Sequence, residues 1–145
     1  MGSYKKFSKE LFAQNDKKAR KLAKEFYAKS GIVLKDNPKK YGPDLMRMEN
    51  GKCVGFVECE IKRVWKDDAF PYGSVQFPER KAKYVYTTDL PVEFFMLNNK
   101  CNRVLKVDGK DILKSPLKSV RNIYMTRGDE MFFQVPLEKV TFLDL

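Results

Sequence analysis

Residues 41–63 read YGPDLMRMENGKCVGFVECEIKR, and this stretch decides how the chain folds. Two short runs rich in apolar residues flank Asn50-Gly51, a dipeptide suited to the positive φ angles of a tight hairpin turn. The spacing predicts strands over Asp44-Leu45-Met46-Arg47-Met48 and over Cys53 to Val64. In the second run Val57, Cys59 and Ile61 point to one face, and Glu58, Glu60 and Lys62 to the other. A strand with two carboxylates and an ammonium in a row on one face is unusual. The hairpin also folds Asp44 back toward that row.

Working outward, Leu11, Phe12, Ala19, Leu22, Ala23, Phe26 and Tyr27 fall at helical spacing and predict a helix over 8–30, in one piece or two. Ser8 and Asp16 suit N-caps, and Gly31 suits a C-terminal stop. Lys17, Lys18, Arg20, Lys21 and Lys24 line the outer side of this helix. They form either a phosphate-contacting face or a solvated surface. Ile32 to Leu34 reads as a short strand, and Asp36 to Pro43 as a turn-rich loop that delivers Asp44.

Beyond the hairpin, Lys66 to Ser74 reads as a polar and aromatic loop, and Pro78 opens a helix reaching Val85. Val92–Leu97 and Cys101–Val107 read as strands, with a turn at Asp108-Gly109. Lys110 to Val120 reads as a helix broken at Ser115-Pro116. Ile123-Tyr124-Met125, Met131–Val135 and Val140–Leu143 complete the strands. The order implies one α/β domain over 1–145, built on a mixed, largely antiparallel central sheet flanked by helices.

Composition narrows the function. The 145 residues suffice for one domain with a core. With 43% hydrophobic and 33% charged residues, the chain is globular rather than disordered. No apolar run approaches the roughly 20 residues that span a bilayer. The N-terminus lacks the apolar stretch of a secretion signal, so a cytoplasmic location is expected. Cys53, Cys59 and Cys101 lack metal-ligand spacing and are expected to be reduced and mostly buried. There is no histidine, which removes Ser-His-Asp and Cys-His chemistry, histidine-dependent nuclease motifs and most zinc catalysis. The net charge of +10 favours a polyanionic partner, nucleic acid rather than membrane.

A hard divalent cation takes oxygen ligands, and magnesium uses one or two protein carboxylates plus waters and a substrate phosphate. Asp44 and Glu60 can supply the carboxylates and the Ile61 carbonyl a further oxygen. Such an ion polarises a phosphodiester and acidifies a bound water. Lys62, on the same face as Glu60, can hold the attacking water and stabilise developing charge.

Pro43-Asp44, a fifteen-residue spacer, and Glu60-Ile61-Lys62 together resemble the PD-(D/E)XK nuclease superfamily. The family includes type II restriction enzymes, Holliday junction resolvases and phage exonucleases. The preceding helix, the motif-bearing hairpin and the following helix match that family's order, so a restriction-endonuclease-like core is expected over residues 8–97. The remainder is expected to be family-variable decoration. The resemblance implies a Mg2+-dependent nuclease, with Mn2+ as a substitute, acting on duplex or branched DNA. It implies Asp44 and Glu60 as metal ligands and Lys62 as the catalytic lysine. It points to Glu10 as an added first-helix acid, and to Gln76, Arg80 and Lys83 as substrate contacts after the motif. Making two cuts implies a homodimer, although no heptad or self-complementary patch is visible. Small size and many lysines are shared with phage-encoded proteins, where such an enzyme would serve DNA processing, recombination or repair in the host cytoplasm.

Two questions stay open, the register and the class of function. A strict two-residue turn places Asp44 opposite Val57, away from Glu60, whereas a three-residue loop with a glycine bulge restores the shared face and brings Asp44 nearer Glu58. Glu58-Cys59-Glu60 is then the working pair. The chain also reads as a basic nucleic-acid-binding module without catalysis, or as a structural protein whose hairpin lies at a sheet edge with charges facing water. Phe56 on the carboxylate face, and the expectation that the first helix covers it, argue against a purely solvated face.

Overall fold

The computed structural model describes residues 9–121 and 129–145. Its central sheet has six strands in the order β1 (Val33–Asp36), β2 (Leu45–Glu49), β3 (Lys52–Lys62), β5 (Val92–Asn98), β6 (Arg103–Asp108) and β9 (Thr141–Asp144). Strands β3 and β5 pair in parallel, and the other neighbours are antiparallel. A second, antiparallel sheet has β8 (Asp129–Pro136) between β4 (Ser74–Pro78) and β7 (Leu117–Arg121). The mixed, largely antiparallel central sheet with flanking helices is the expected fold class.

One helix, α1 (Lys9–Ala28), covers one face of the central sheet. Ala19, Ala23 and Tyr27 recur at helical spacing and pack on Leu45, Val57, Cys59, Ile61, Phe95 and Leu97. Gly31, at φ +76°, ends the helix in the left-handed conformation that glycine adopts without strain. The helix is continuous through Asn15-Asp16, so Asp16 lies within it and is not an N-cap.

The opposite face packs on the second sheet and on short helices. Trp65, Phe94, Met96, Leu105 and Val107 meet Val75, Phe77, Phe133 and Val135 there, with Ala82 and Ile112. The carboxylates of β3 therefore look toward the second sheet, not toward α1 as expected from sequence. Nor does β3 lie at an edge, since β2 and β5 flank it.

Several segments differ from the sequence reading for identifiable reasons. Ser74–Pro78 is strand β4, with Val75 and Phe77 buried and Gln76 exposed. Pro78 caps a 3-10 turn, Glu79–Ala82, that continues into α2 (Lys83–Tyr86). Asp108 caps α3 (Gly109–Leu113) by accepting the Lys110 N–H at 2.9 Å, so Asp108-Gly109 opens a helix rather than a turn. Pro116 cannot continue that helix, and Leu117–Arg121 pairs with β8 as a strand. The chain after Leu97 is not peripheral: β6 and β9 extend the central sheet and β8 is the middle strand of the second. The strand expected at Ile123-Tyr124-Met125 lies outside the described residues. All three cysteines are free, but only Cys59 is buried. Among the described residues no helix is long and apolar enough to cross a membrane.

Candidate functional site

The hairpin turn has two residues, Asn50 at φ 52° and Gly51 at φ 78°, which sets Glu49 opposite Lys52 and Met48 opposite Cys53. Arg47 then pairs with Gly55, so Val54 is one extra residue on β3. Without the bulge Asp44 would sit level with Val57. With it, Leu45 pairs with Val57 and Asp44 lies level with Glu58. The register shift therefore comes from a bulge inside the strand rather than from a longer loop.

Three contacts fix this meeting point, one of them the Cys59 Sγ–H, 3.7 Å from Asp44 Oδ2 on the α1 side of the strand. The Asp44 N–H donates to Glu58 Oε1 at 3.0 Å, and Asp44 Oδ2 accepts the Cys59 N–H at 3.1 Å. Glu58 is 5% exposed and, with Asn98, one of few buried polar residues among the described residues. Burial pushes its carboxyl up to about 8; Lys81 opposes the rise and Asp44 adds to it.

Glu60 lies on the same strand face. Burial acts to raise its carboxyl, but Lys62 and then Lys81 outweigh it and hold the group below the ordinary carboxylate range. Its side chain keeps 38% exposure, so water moderates that pull.

Lys81 binds both acids. Its Nζ is 3.1 Å from Glu58 Oε2 and 3.1 Å from Glu60 Oε1. Burial would lower its ammonium, yet Glu60 and Glu58 more than compensate and raise it. Lys62 stands to one side, with Nζ 3.4 Å from the Gln76 carbonyl oxygen, 3.9 Å from Glu60 Oε2 and over the Phe77 ring. Tyr84, three residues past Lys81, faces the same cluster: burial and the Glu58 charge raise its phenol.

The structure thus brings Asp44, Glu58, Glu60 and Lys62 to one end of β3. Asp44 is nearer Glu58 than the Glu60-Ile61-Lys62 pairing requires. Glu10 is exposed in the first turn of α1. The α1 acid nearest in influence is Asp16, on the other side of the sheet from Glu58 and Glu60; burial and the Asp44 charge raise its carboxyl, and it pairs with Arg20 at 2.8 Å. Its signal was in the sequence, since Asp16 extends the buried stripe of Ala19, Ala23 and Tyr27. Arg80 turns toward β8 and pairs with Glu130 at 2.7 Å, and Lys83 is exposed above the Tyr84 ring. Gln76 is exposed, and its backbone holds Lys62. Lys81 lay among several basic residues, and only the short helix shows which of them turns inward.

Among the described residues no three His, Cys, Asp or Glu side chains already converge as a metal cage. The donors that do meet are carboxylate and backbone oxygens. That set suits a hard cation that keeps most of its waters and needs only one or two protein carboxylates.

No family model matches the chain and no curated protein sequence matches it. Among solved structures, a nuclease from a fusselovirus is similar over 94% of this chain and 92% of its own, at 12% identity and a TM-score of 0.49. That likeness is too distant to bear on the site, whose reading rests on its own geometry.

Proposed function

We propose that this protein is a divalent-metal-dependent nuclease that hydrolyses DNA phosphodiester bonds, in the manner of PD-(D/E)XK enzymes. The observation that carries the reading is the level set by the bulge. It lays Asp44 against Glu58, with Glu60 and two lysine ammoniums on the same strand face. Asp44 and Glu58 would hold Mg2+ or Mn2+ from the protein side. The Cys59 carbonyl would add an oxygen, since it leaves the strand on the same side as the N–H bonded to Asp44. Ile61 would fill that role only if Glu60 replaced Glu58 as the partner of Asp44. When bound, the ion supplies charge to a phosphate and acidifies a water.

The chain's own groups divide the remaining work. Glu60, held ionised, accepts a proton from or orients the attacking water. Lys62, fixed by the Gln76 carbonyl and Phe77, supplies a steady positive charge beside the reacting phosphate. The +10 net charge draws the polyanion in. Duplex or branched DNA as substrate, and a homodimer for paired cuts, belong to this proposal.

A second reading has an observation of its own. Lys81 balances Glu58 and Glu60 with no ion required, as in a structural ion-pair cluster of a DNA-binding module. One experiment separates the two. Plasmid and branched DNA are incubated with the protein in Mg2+, Mn2+ or EDTA. Cutting in either metal and none in EDTA is expected. A mobility shift with intact DNA under every condition would leave only the binding module.

A further inference from the structure

We infer that Lys81 is a built-in counter-ion occupying the place of the divalent cation, and that it leaves when the cation arrives. The inference rests on the metal-dependent reading and adds to it how the site is held and filled.

Alternate residues on a strand are about 6.5 Å apart along the chain, yet one nitrogen lies 3.1 Å from both Glu58 and Glu60. The two side chains therefore converge on a single cation locus, where a metal ion would take Glu58 directly and meet Glu60 through the water that Glu60 orients. A magnesium ion requires oxygens at about 2.0–2.1 Å, so it cannot share these atoms with an ammonium in place. Two positive charges at one locus beside the buried Glu58 repel, although the part-exposed Glu60 lets water moderate the repulsion.

The two lysines are built differently for this. Lys62 is pinned by the Gln76 carbonyl and the Phe77 ring, and stands 3.9 Å from Glu60. Lys81 has carboxylates as its partners, on a four-carbon stem that can swing. Its backbone is anchored by the neighbouring Ala82, 7% exposed in the core, so the side chain can depart without the short helix moving. Without the ion, Lys81 compensates the ionised Glu60 and donates to the buried Glu58. With the ion bound, its ammonium is released toward the incoming phosphate.

The test is calorimetric titration of Mn2+ into the full chain without nucleic acid. Lys81→Gln removes the competing charge and should bind Mn2+ at least about tenfold more tightly than the unaltered protein. Lys100→Gln, at a surface pair with Asp67, should leave the affinity unchanged. Equal or weaker binding by Lys81→Gln, while the unaltered protein binds, overturns the inference and leaves the metal reading standing. No Mn2+ uptake by either protein overturns both.

A second measurement needs no variant and covers the case in which Lys81→Gln does not fold. Lysine reactivity toward reductive methylation is followed by peptide mass spectrometry. Lys81 should be slow without Mn2+ and several-fold faster at saturating Mn2+, with Lys62 and Lys100 unchanged. An unchanged Lys81 rate in protein that has taken up Mn2+ overturns the inference.

Discussion

The two faces of β3 come from the same eleven residues and do opposite things. Toward α1, Val57, Cys59 and Ile61 join an apolar cluster with Ala19, Ala23 and Phe95. Toward the second sheet, Glu58, Glu60 and Lys62 meet Lys81 and Tyr84 beside Phe77. One face derives its stability from area removed from water, and the other must compensate every charge it buries. The difference teaches that a central strand can carry a reactive row if its reverse side holds the fold.

Substitutions two or three residues apart should separate the roles. Glu58→Gln is expected to lower metal-dependent cleavage by about 10²–10⁴-fold, with Glu60→Gln close behind. At pH 7 Glu58→Gln should melt above the unaltered protein and Glu60→Gln below it, with both folded at the assay temperature. Ile61→Ala, on the α1 side, should lose about 2–5 kcal/mol of stability yet cleave normally at low temperature, because its backbone carbonyl is retained. Thermal melts and single-turnover cleavage on the same samples decide. Unfolding by Glu58→Gln, or loss of cleavage in folded Ile61→Ala, breaks the contrast.

The charged face should also write its signature into the pH profile. Unfolded, Glu58 and Glu60 both titrate near 4.5. Folded Glu58, facing Asp44, Lys81 and Tyr84, holds its proton up to about 8, so its contribution to stability falls as pH rises from about 4.5 through about 8. Folded Glu60 is depressed, so its contribution is present above about 4.5 and fades as pH drops below that. In EDTA, the melting temperature should decline between about pH 5 and about pH 8, and Glu58→Gln should flatten that decline. Superimposable profiles would show that Glu58 is not displaced upward.

The smallest effect belongs to the turn, which both faces share. Gly51 has φ +78° with open space around it, so Gly51→Ala meets only backbone strain and should cost about 1–2 kcal/mol. Chemical denaturation reads the loss, and a much larger value would mean that the turn also carries packing.

The sequence showed the hairpin, the alternation along β3 and the helix before it. Asn50-Gly51 and a strict period of two are local signals, and local signals survive without coordinates. Which acid meets Asp44 was not legible, because one inserted residue reverses the answer. Gly55, next to the extra Val54, is a local sign of such a bulge, because glycine inside a strand marks a bulge or a close approach. The covering layer was hidden for a different reason. β4 and β8 pair across more than fifty residues, and neither segment announces its partner. Lys81 could not be chosen from its basic neighbours until that layer gave the short helix an inside.

The extra residue at Val54 has a consequence for how this gene segment can vary. Exchanges of one amino acid for another between positions 45 and 57 leave the count of the hairpin intact. Deleting position 54 would turn the first arm by half a period, present Leu45 to the wrong layer, and strand the acid at 44 opposite a valine. In this hairpin, spelling is negotiable and length is not.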